Sequence, residues 1–493
     1  MQNTHAIKIS QNDNVAVAIT AIEKGQTVLG VTATDFIPAG HKISVSAIPN
    51  GADVIKYGYP IGHATATITP GQHVHSHNLR TSLDGLQTYE YTPQMHSSQA
   101  VTSKTFMGYR RKNGSVGIRN EIWIINTVGC VNKIAEKIAA TATAKFPQAE
   151  GVYTFVHPYG CSQLGDDHRY TQGILANMAN HPNAAGVLVL GLGCENNHIN
   201  EFKQVLKIWD DNRVKFLNTQ DVEDDISAGV DIIGDLVNYA ATFKREPIPI
   251  SELIVGLKCG GSDGFSGITA NPLVGRFSDM LVSYGGSCIL TEVPEMFGAE
   301  TILMNRCENM DVFNQSVSLI NNFKEYFICH GQEIYENPSP GNKEGGITTL
   351  EEKSLGCTQK GGLSTVVDVL GYGQTVKRSG LNLLQGPGND IVAVTNLMAA
   401  GAHIILFTTG RGTPLGAPVP TVKISSNSEL ACKKPTWIDF DAGVLVQNEA
   451  NCGMTELSNQ FFLYIIDIAN GAQVKNELNG YREISIFKDG VTL

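Results

Sequence analysis

Short apolar runs broken by glycine turns fill residues 1–92. Val15–Ile19, Lys42–Val45 and Asp53–Tyr57 read as strands, punctuated by Gly25, Gly40, Gly51, Pro60-Ile61-Gly62 and Pro70-Gly71. This pattern predicts a small β domain with tight turns. Residues 93–105 lose all periodicity and read as a linker. After Phe106 the pattern changes to apolar strand, glycine turn, helix. Strands are expected at Glu121–Ile125, Gly151–Val156 and Gly186–Leu190, with an alanine-rich helix over Lys133–Lys145. Continuous apolar strands alternating with helices indicate a parallel sheet covered on both faces. A polar stretch near Lys244–Ser251 marks a second boundary. Strands then resume at Glu252–Leu257, Thr365–Val369 and His403–Phe407. The fold class is therefore α/β, with a β domain over 1–92, a middle α/β domain over 106–246 and a C-terminal α/β domain over 247–493.

Composition narrows the function. The 493 residues carry a net charge of −11, with 42% hydrophobic and 17% charged residues, so the chain has the apolar content for a real core. The acidic balance argues against nucleic acid or an anionic membrane as partner. No stretch approaches the length of a membrane helix, and the N-terminus lacks a signal pattern. Ten cysteines without a CxxC pair suit a reduced, cytoplasmic protein better than a disulfide scaffold. There is no Walker loop, no Gly-x-Ser-x-Gly elbow and no complete dinucleotide fingerprint.

Three cysteines share a position. Cys130, Cys161 and Cys194 each follow a predicted strand within a few residues, beside a glycine. Ligand sites in open α/β sheets gather at the carboxyl ends of strands. If the three strands are neighbours, the thiols meet on one rim that suits an iron ion or three corners of an iron–sulfur cluster. The plainer alternative is that cysteine is a common small core residue. Cys259, in Lys258-Cys259-Gly260-Gly261, and Cys357, in Gly356-Cys357-Thr358, repeat the strand–Cys–Gly or glycine-turn setting, whose backbone N–H groups can cradle a carboxylate. Cys288, Cys307, Cys329, Cys432 and Cys452 read as structural.

Gln72-His73-Val74-His75-Ser76-His77-Asn78 alternates, which predicts His73, His75 and His77 on one face of a strand. Such a triplet serves metal binding or acid–base work near neutral pH, or else decorates a solvated face. Further acid–base candidates lie in Thr291-Glu292-Val293-Pro294-Glu295 and Asn337–Lys343. Arg411, just after a strand, has the planar fork that suits a carboxylate.

Several runs taken together resemble one family. They are Val54–Gly58, His73–Asn78, Asn126–Cys130, Tyr159–Gln163, Gly193–Asn197, Cys259–Asp263, Tyr335–Asn342 and Leu355–Lys360. In this order they identify the chain as similar to the altronate/galactarate dehydratase family of sugar-acid hydro-lyases over essentially its whole length. The resemblance implies an N-terminal β-clip (SAF-type) domain, a middle domain that mediates a homodimer, and a C-terminal Rossmann-like variant. It also implies a hydro-lyase that needs Fe²⁺ (with Mn²⁺ as a substitute, and a cluster as the open alternative) and reducing conditions. The implied reaction takes D-altronate to 2-dehydro-3-deoxy-D-gluconate and water in hexuronate breakdown.

Dehydrating a 2,3-dihydroxy acid needs the C2 proton removed and the C3 hydroxyl expelled, and a Lewis-acidic metal stabilises the enediolate between. On this reading the metal sits at Cys130, Cys161 and Cys194, with His75 and His77 as competitors. A histidine of the triplet (His73 or His75) or Lys360 is the base, and Arg411 clamps the carboxylate. Rival readings are dehydration of galactarate or sulfolactate, a non-catalytic sugar-acid-binding protein, and a thiolate nucleophile at Cys130 or Cys357.

Overall fold

The computed structural model describes residues 5–95, 104–207, 209–447 and 453–493. Most of the expected linker, 96–103, and Cys452 lie outside the described residues.

The N-terminal domain is built from very short strands. Ala6–Ile7, Val15–Ala18, Lys42–Ser44 and His73–Val74 form one antiparallel sheet, and Asp53–Lys56, Tyr59–Ala64 and Leu79–Arg80 form another. Its core of Val15, Val54, Ile61 and Val74 is completed by Ala299 and Leu355 from the far end of the chain. A domain this small buries little apolar surface on its own, so it is seated on the C-terminal domain.

In the middle domain four parallel strands lie in the order Val152–Thr154, Glu121–Asn126, Ala184–Gly191, Val214–Asn218. The three strands expected from the sequence are direct neighbours. Helices Asn132–Lys145 and Asp225–Ala240 cover one face, while Gly165–Asn180 and Ile199–Leu206 cover the other and share a core with the C-terminal domain. The polar stretch read as a boundary is in fact a strand. Arg245–Pro249 pairs antiparallel with Thr105–Arg110, so the chain enters and leaves the middle domain side by side. Pro247 and Pro249 hid it, and an edge position is where proline is tolerated.

The C-terminal domain holds seven parallel strands in the order Val366–Leu370, Gly380–Leu384, Ser287–Leu290, Ile254–Cys259, Ile404–Thr409, Thr421–Ser425, Phe440–Asp441. Strand order reverses between Ile254–Cys259 and Ile404–Thr409, and the crevice beyond the carboxyl ends at such a reversal is where doubly wound sheets bind ligands. Among the described residues no helix is long and apolar enough to cross a membrane.

Candidate active site

Two cavities lie side by side along the carboxyl edge of the seven-stranded sheet. The smaller, about 600 Å³, is lined by Cys259, Glu295, Asn337, Asn342, Lys353 and Asp390, among others. It spans the ends of three adjacent strands. The larger, about 1010 Å³, continues over the remaining strands and reaches Ile19, Thr20 and Ala39 of the N-terminal domain, with Arg411 on its wall.

The floor of the smaller cavity is a dense set of buried charges. Lys258, the penultimate residue of its strand, contacts the Glu292 carboxylate and bonds Asp390 Oδ1 at 2.8 Å. The other Glu292 oxygen accepts from the Cys259 backbone N–H at 2.7 Å. Glu292 is held at φ +71°, in the left-handed region that a residue with a side chain rarely occupies. Such geometry persists only where the surroundings enforce it, and it clusters at functional sites. Lys353 Nζ pairs with Glu295 Oε1 at 2.8 Å, and the Cys357 thiol donates to Glu295 Oε2 at 3.1 Å. Lys353 and Cys357 share the helix Leu350–Cys357, which Thr349 caps.

Burial sets the protonation pattern. It pushes Glu292 well above the usual carboxylate range, and the Glu295 charge adds to this. For Glu295 burial acts the same way but is outweighed by Lys353, Lys258 and Lys360, which bring it down to about 2. Burial alone lowers Lys353 and Lys360, yet Glu295 holds the first above its ordinary value and the cysteines and glutamates hold the second. Contact with the Cys357 thiol brings Cys259 down to about 7 against burial. The pocket is thus a low-dielectric chamber in which two neighbouring carboxyls are pushed in opposite directions and three lysines are held above their ordinary values.

Cys259, Glu295 and Cys357 offer ligand atoms that all lie within 4.8 Å of one another, the one such group of three among the described residues. Two sulfurs and a carboxylate oxygen converging on a cavity wall suit ferrous iron, so these residues fit the implied metal.

The sequence-predicted residues are distributed otherwise. Cys130, Cys161 and Cys194 are exposed at the carboxyl rim of the middle sheet, and their sulfurs are not drawn together within the spacing of that trio. The strand carrying the histidines stops at Val74, so alternation does not continue through the triplet. A turn brings the rings together instead: His73 lies 5.5 Å from His75 and 5.4 Å from His77, and His41 joins at 5.1 Å from His73. His75 Nε2 and His41 Nε2 bond the carbonyls of Lys343 and Glu344 at 2.9 and 3.1 Å. These rings therefore fasten the N-terminal domain to the helix Pro340–Glu344, and they line neither cavity. Lys360 is buried beneath the smaller cavity among its charges. Arg411 pairs with Glu344 at 2.7 Å and flanks Gly261, which lines the smaller cavity.

Sequence reasoning passed over Lys258, Lys353 and Asp390. Lys258 stood inside a flagged motif, and a lysine in an otherwise apolar strand was its signal. Lys353 and Asp390 carry no local mark, since each gains its meaning from a partner far along the chain.

Comparison with known proteins agrees with this architecture. A family model described as the altronate/galactarate dehydratase SAF domain matches residues 4–82. One for the second domain of D-galactarate dehydratase/altronate hydrolase matches 108–241, and one for the D-galactarate/altronate dehydratase C-terminal domain matches 250–492. The chain belongs to the altronate/galactarate dehydratase family. Within it, the chain is 53% identical to an altronate dehydratase of Bacillus subtilis and 54% identical to one of Escherichia coli, covering 99% of both chains in each case. It is 32% identical to the L-threo-forming galactarate dehydratase of Escherichia coli, over 94% of this chain and 92% of that one. The strand Arg245–Pro249 sits in the gap between the last two matched segments.

Proposed function

We propose that this chain removes water from D-altronate to give 2-dehydro-3-deoxy-D-gluconate, a step in hexuronate breakdown. The observation that carries the substrate is the contrast in identity, 54% to an altronate dehydratase against 32% to the galactarate enzyme. The cavity suits the chemistry. Lys353 and Lys258 place positive charge where the enediolate forms, and preorganised charge in a dry site counts for more than in water. Asp390, with a carboxylate on the cavity wall held by a single lysine, accepts the C2 proton. Glu292, its carboxyl pushed well above the usual carboxylate range by burial, is the proton source for the departing C3 hydroxyl, relayed by Lys258, which hands on one proton as it takes another. Cys259, Glu295 and Cys357 would hold ferrous iron, which contributes Lewis-acid stabilisation of the substrate oxygens when bound. Arg411, which lines the larger cavity and packs beside Gly261 of the smaller one, steers the carboxylate. A cytoplasmic homodimer joined through the middle domain belongs to the same proposal.

The test is turnover by anaerobically purified, thiol-reduced protein. D-altronate with added ferrous iron yields the 2-keto-3-deoxy acid, while galactarate yields far less. Binding of D-altronate with no product under these conditions would replace this reading with a sugar-acid-binding protein. Arg411→Ala raises KM for D-altronate with Tm nearly unchanged, since its pairing with Glu344 is exposed and contributes about 0–1 kcal/mol.

A further inference from the structure

The middle domain carries a second assembly of potential ligands, apart from the cavities of the C-terminal domain. Its strands run in the order second, first, third, fourth, so the reversal falls at Glu121–Asn126 and Ala184–Gly191. The loops leaving three adjacent strands hold Cys130, Cys161 and Cys194. These loops are tied to one another through the residues beside each cysteine. Gly129 N–H donates to the Tyr159 carbonyl at 2.9 Å, Asn197 N–H to the Gly160 carbonyl at 3.0 Å, and Ser162 N–H to Asn196 Oδ1 at 3.0 Å. Asn197 Nδ2 donates to the Thr127 carbonyl at 3.0 Å. Gly160 packs so tightly that a Cβ there would meet the Thr127 carbonyl oxygen at 1.9 Å. The rim is thus a fixed scaffold that presents three thiols.

Two further observations point to a ligand. Asn126 Oδ1, Asn197 Oδ1 and Gln163 Nε2 have no hydrogen-bond partner, although the three side chains belong to residues no more than 5% exposed. Buried polar atoms are nearly always satisfied, so orphans gathered in the same three loops mark a place where something else binds. In addition, Gln220 Nε2 donates toward Cys194 Sγ at 3.6 Å. N–H donors to a cysteine sulfur are among the features that tune iron–sulfur centres.

The spacing selects among metals. A single tetrahedral ion draws its ligand atoms into one tight shell, as Cys259, Glu295 and Cys357 already are. The rim sulfurs form no such group. A cuboidal cluster does not require one, because each sulfur binds a different iron.

We propose that Cys130, Cys161 and Cys194 bind an iron–sulfur cluster whose fourth iron is left for a small oxygen ligand of the hydroxy-acid class. This inference is independent of the cavity in the C-terminal domain. It is tested on the full chain, reconstituted anaerobically with ferrous iron and sulfide. About four acid-labile sulfides per chain, about four irons beyond the one that Cys259, Glu295 and Cys357 would hold, and a broad thiolate-to-iron absorption are expected. Cys130→Ser, Cys161→Ser and Cys194→Ser should each reduce the sulfide bound, while Cys432→Ser and Cys259→Ser leave it unchanged. A cluster spectrum that shifts on addition of D-altronate supports the open iron. Iron without sulfide, or sulfide retained in the triple serine variant with an unchanged circular dichroism spectrum, would overturn the proposal. Neither result depends on whether the protein turns over D-altronate.

Discussion

Lys42 Nζ and Glu352 Oε2 stand 2.8 Å apart across the join between the first and last domains, and Lys56 Nζ holds the other oxygen of the same carboxylate at 2.8 Å. All three side chains are essentially dry. Glu352 lies on the helix that carries Lys353 and Cys357, so the N-terminal domain clamps the wall of the smaller cavity. Glu352→Gln leaves two buried lysines facing a neutral amide. Breaking a buried ion pair from one side costs about 3–5 kcal/mol, so the unfolding free energy from denaturant titration should fall by that amount, with substrate turnover falling alongside it.

Two substitutions separate charge stabilisation from proton transfer in the cavity. Lys353→Met removes a fixed positive charge beside Glu295 and should lower kcat by about 10²–10³-fold. Asp390→Asn keeps the shape of the side chain but removes the proposed base, lowering kcat by about 10²–10⁴-fold. Asp390→Asn should keep a near-wild-type Tm. Wild-type kcat in that variant would remove Asp390 from the mechanism.

Acid should loosen the domain join. Burial lowers His41, and it brings His73 down to about 3 and His75 to about 4, with neighbouring positive groups adding to the effect in each. Their neutral forms bond the Lys343 and Glu344 carbonyls and each other. For groups depressed on folding, the stability is full above the unfolded value near 6.5 and is lost as pH falls toward the folded one. Tm should therefore drop between pH 6.5 and about 4. His73→Asn should flatten that slope in part, with the remainder coming from buried His157, His181 and His403, which burial lowers likewise.

Gly264 is where the two domains touch backbone to backbone. A Cβ there would meet the Gly40 carbonyl oxygen at 1.9 Å, and no flexible side chain can yield. Gly264→Ala should destabilise by about 1–3 kcal/mol. It should also raise KM, because the larger cavity is walled by both domains; thermal denaturation and steady-state kinetics read the two effects.

The sequence by itself determined the three-part organisation, the parallel strands of the middle and C-terminal domains, and the placement of Cys259 at the end of an apolar strand, and it singled out Glu292–Glu295 as acid–base candidates without placing them. These follow from local periodicity and from glycine turns, which need no distant partner to be legible. Tertiary structure decided the rest. Lys353 and Asp390 look like ordinary helix residues until folding sets them against Glu295 and Lys258, and Lys42 looks like a surface lysine until Glu352 buries it. The histidine triplet was visible, but not its partner His41 or the carbonyls it grips. A charge buried without its counterpart is too unfavourable to persist, so the meaning of each such residue lies in pairings across hundreds of positions that no local pattern records.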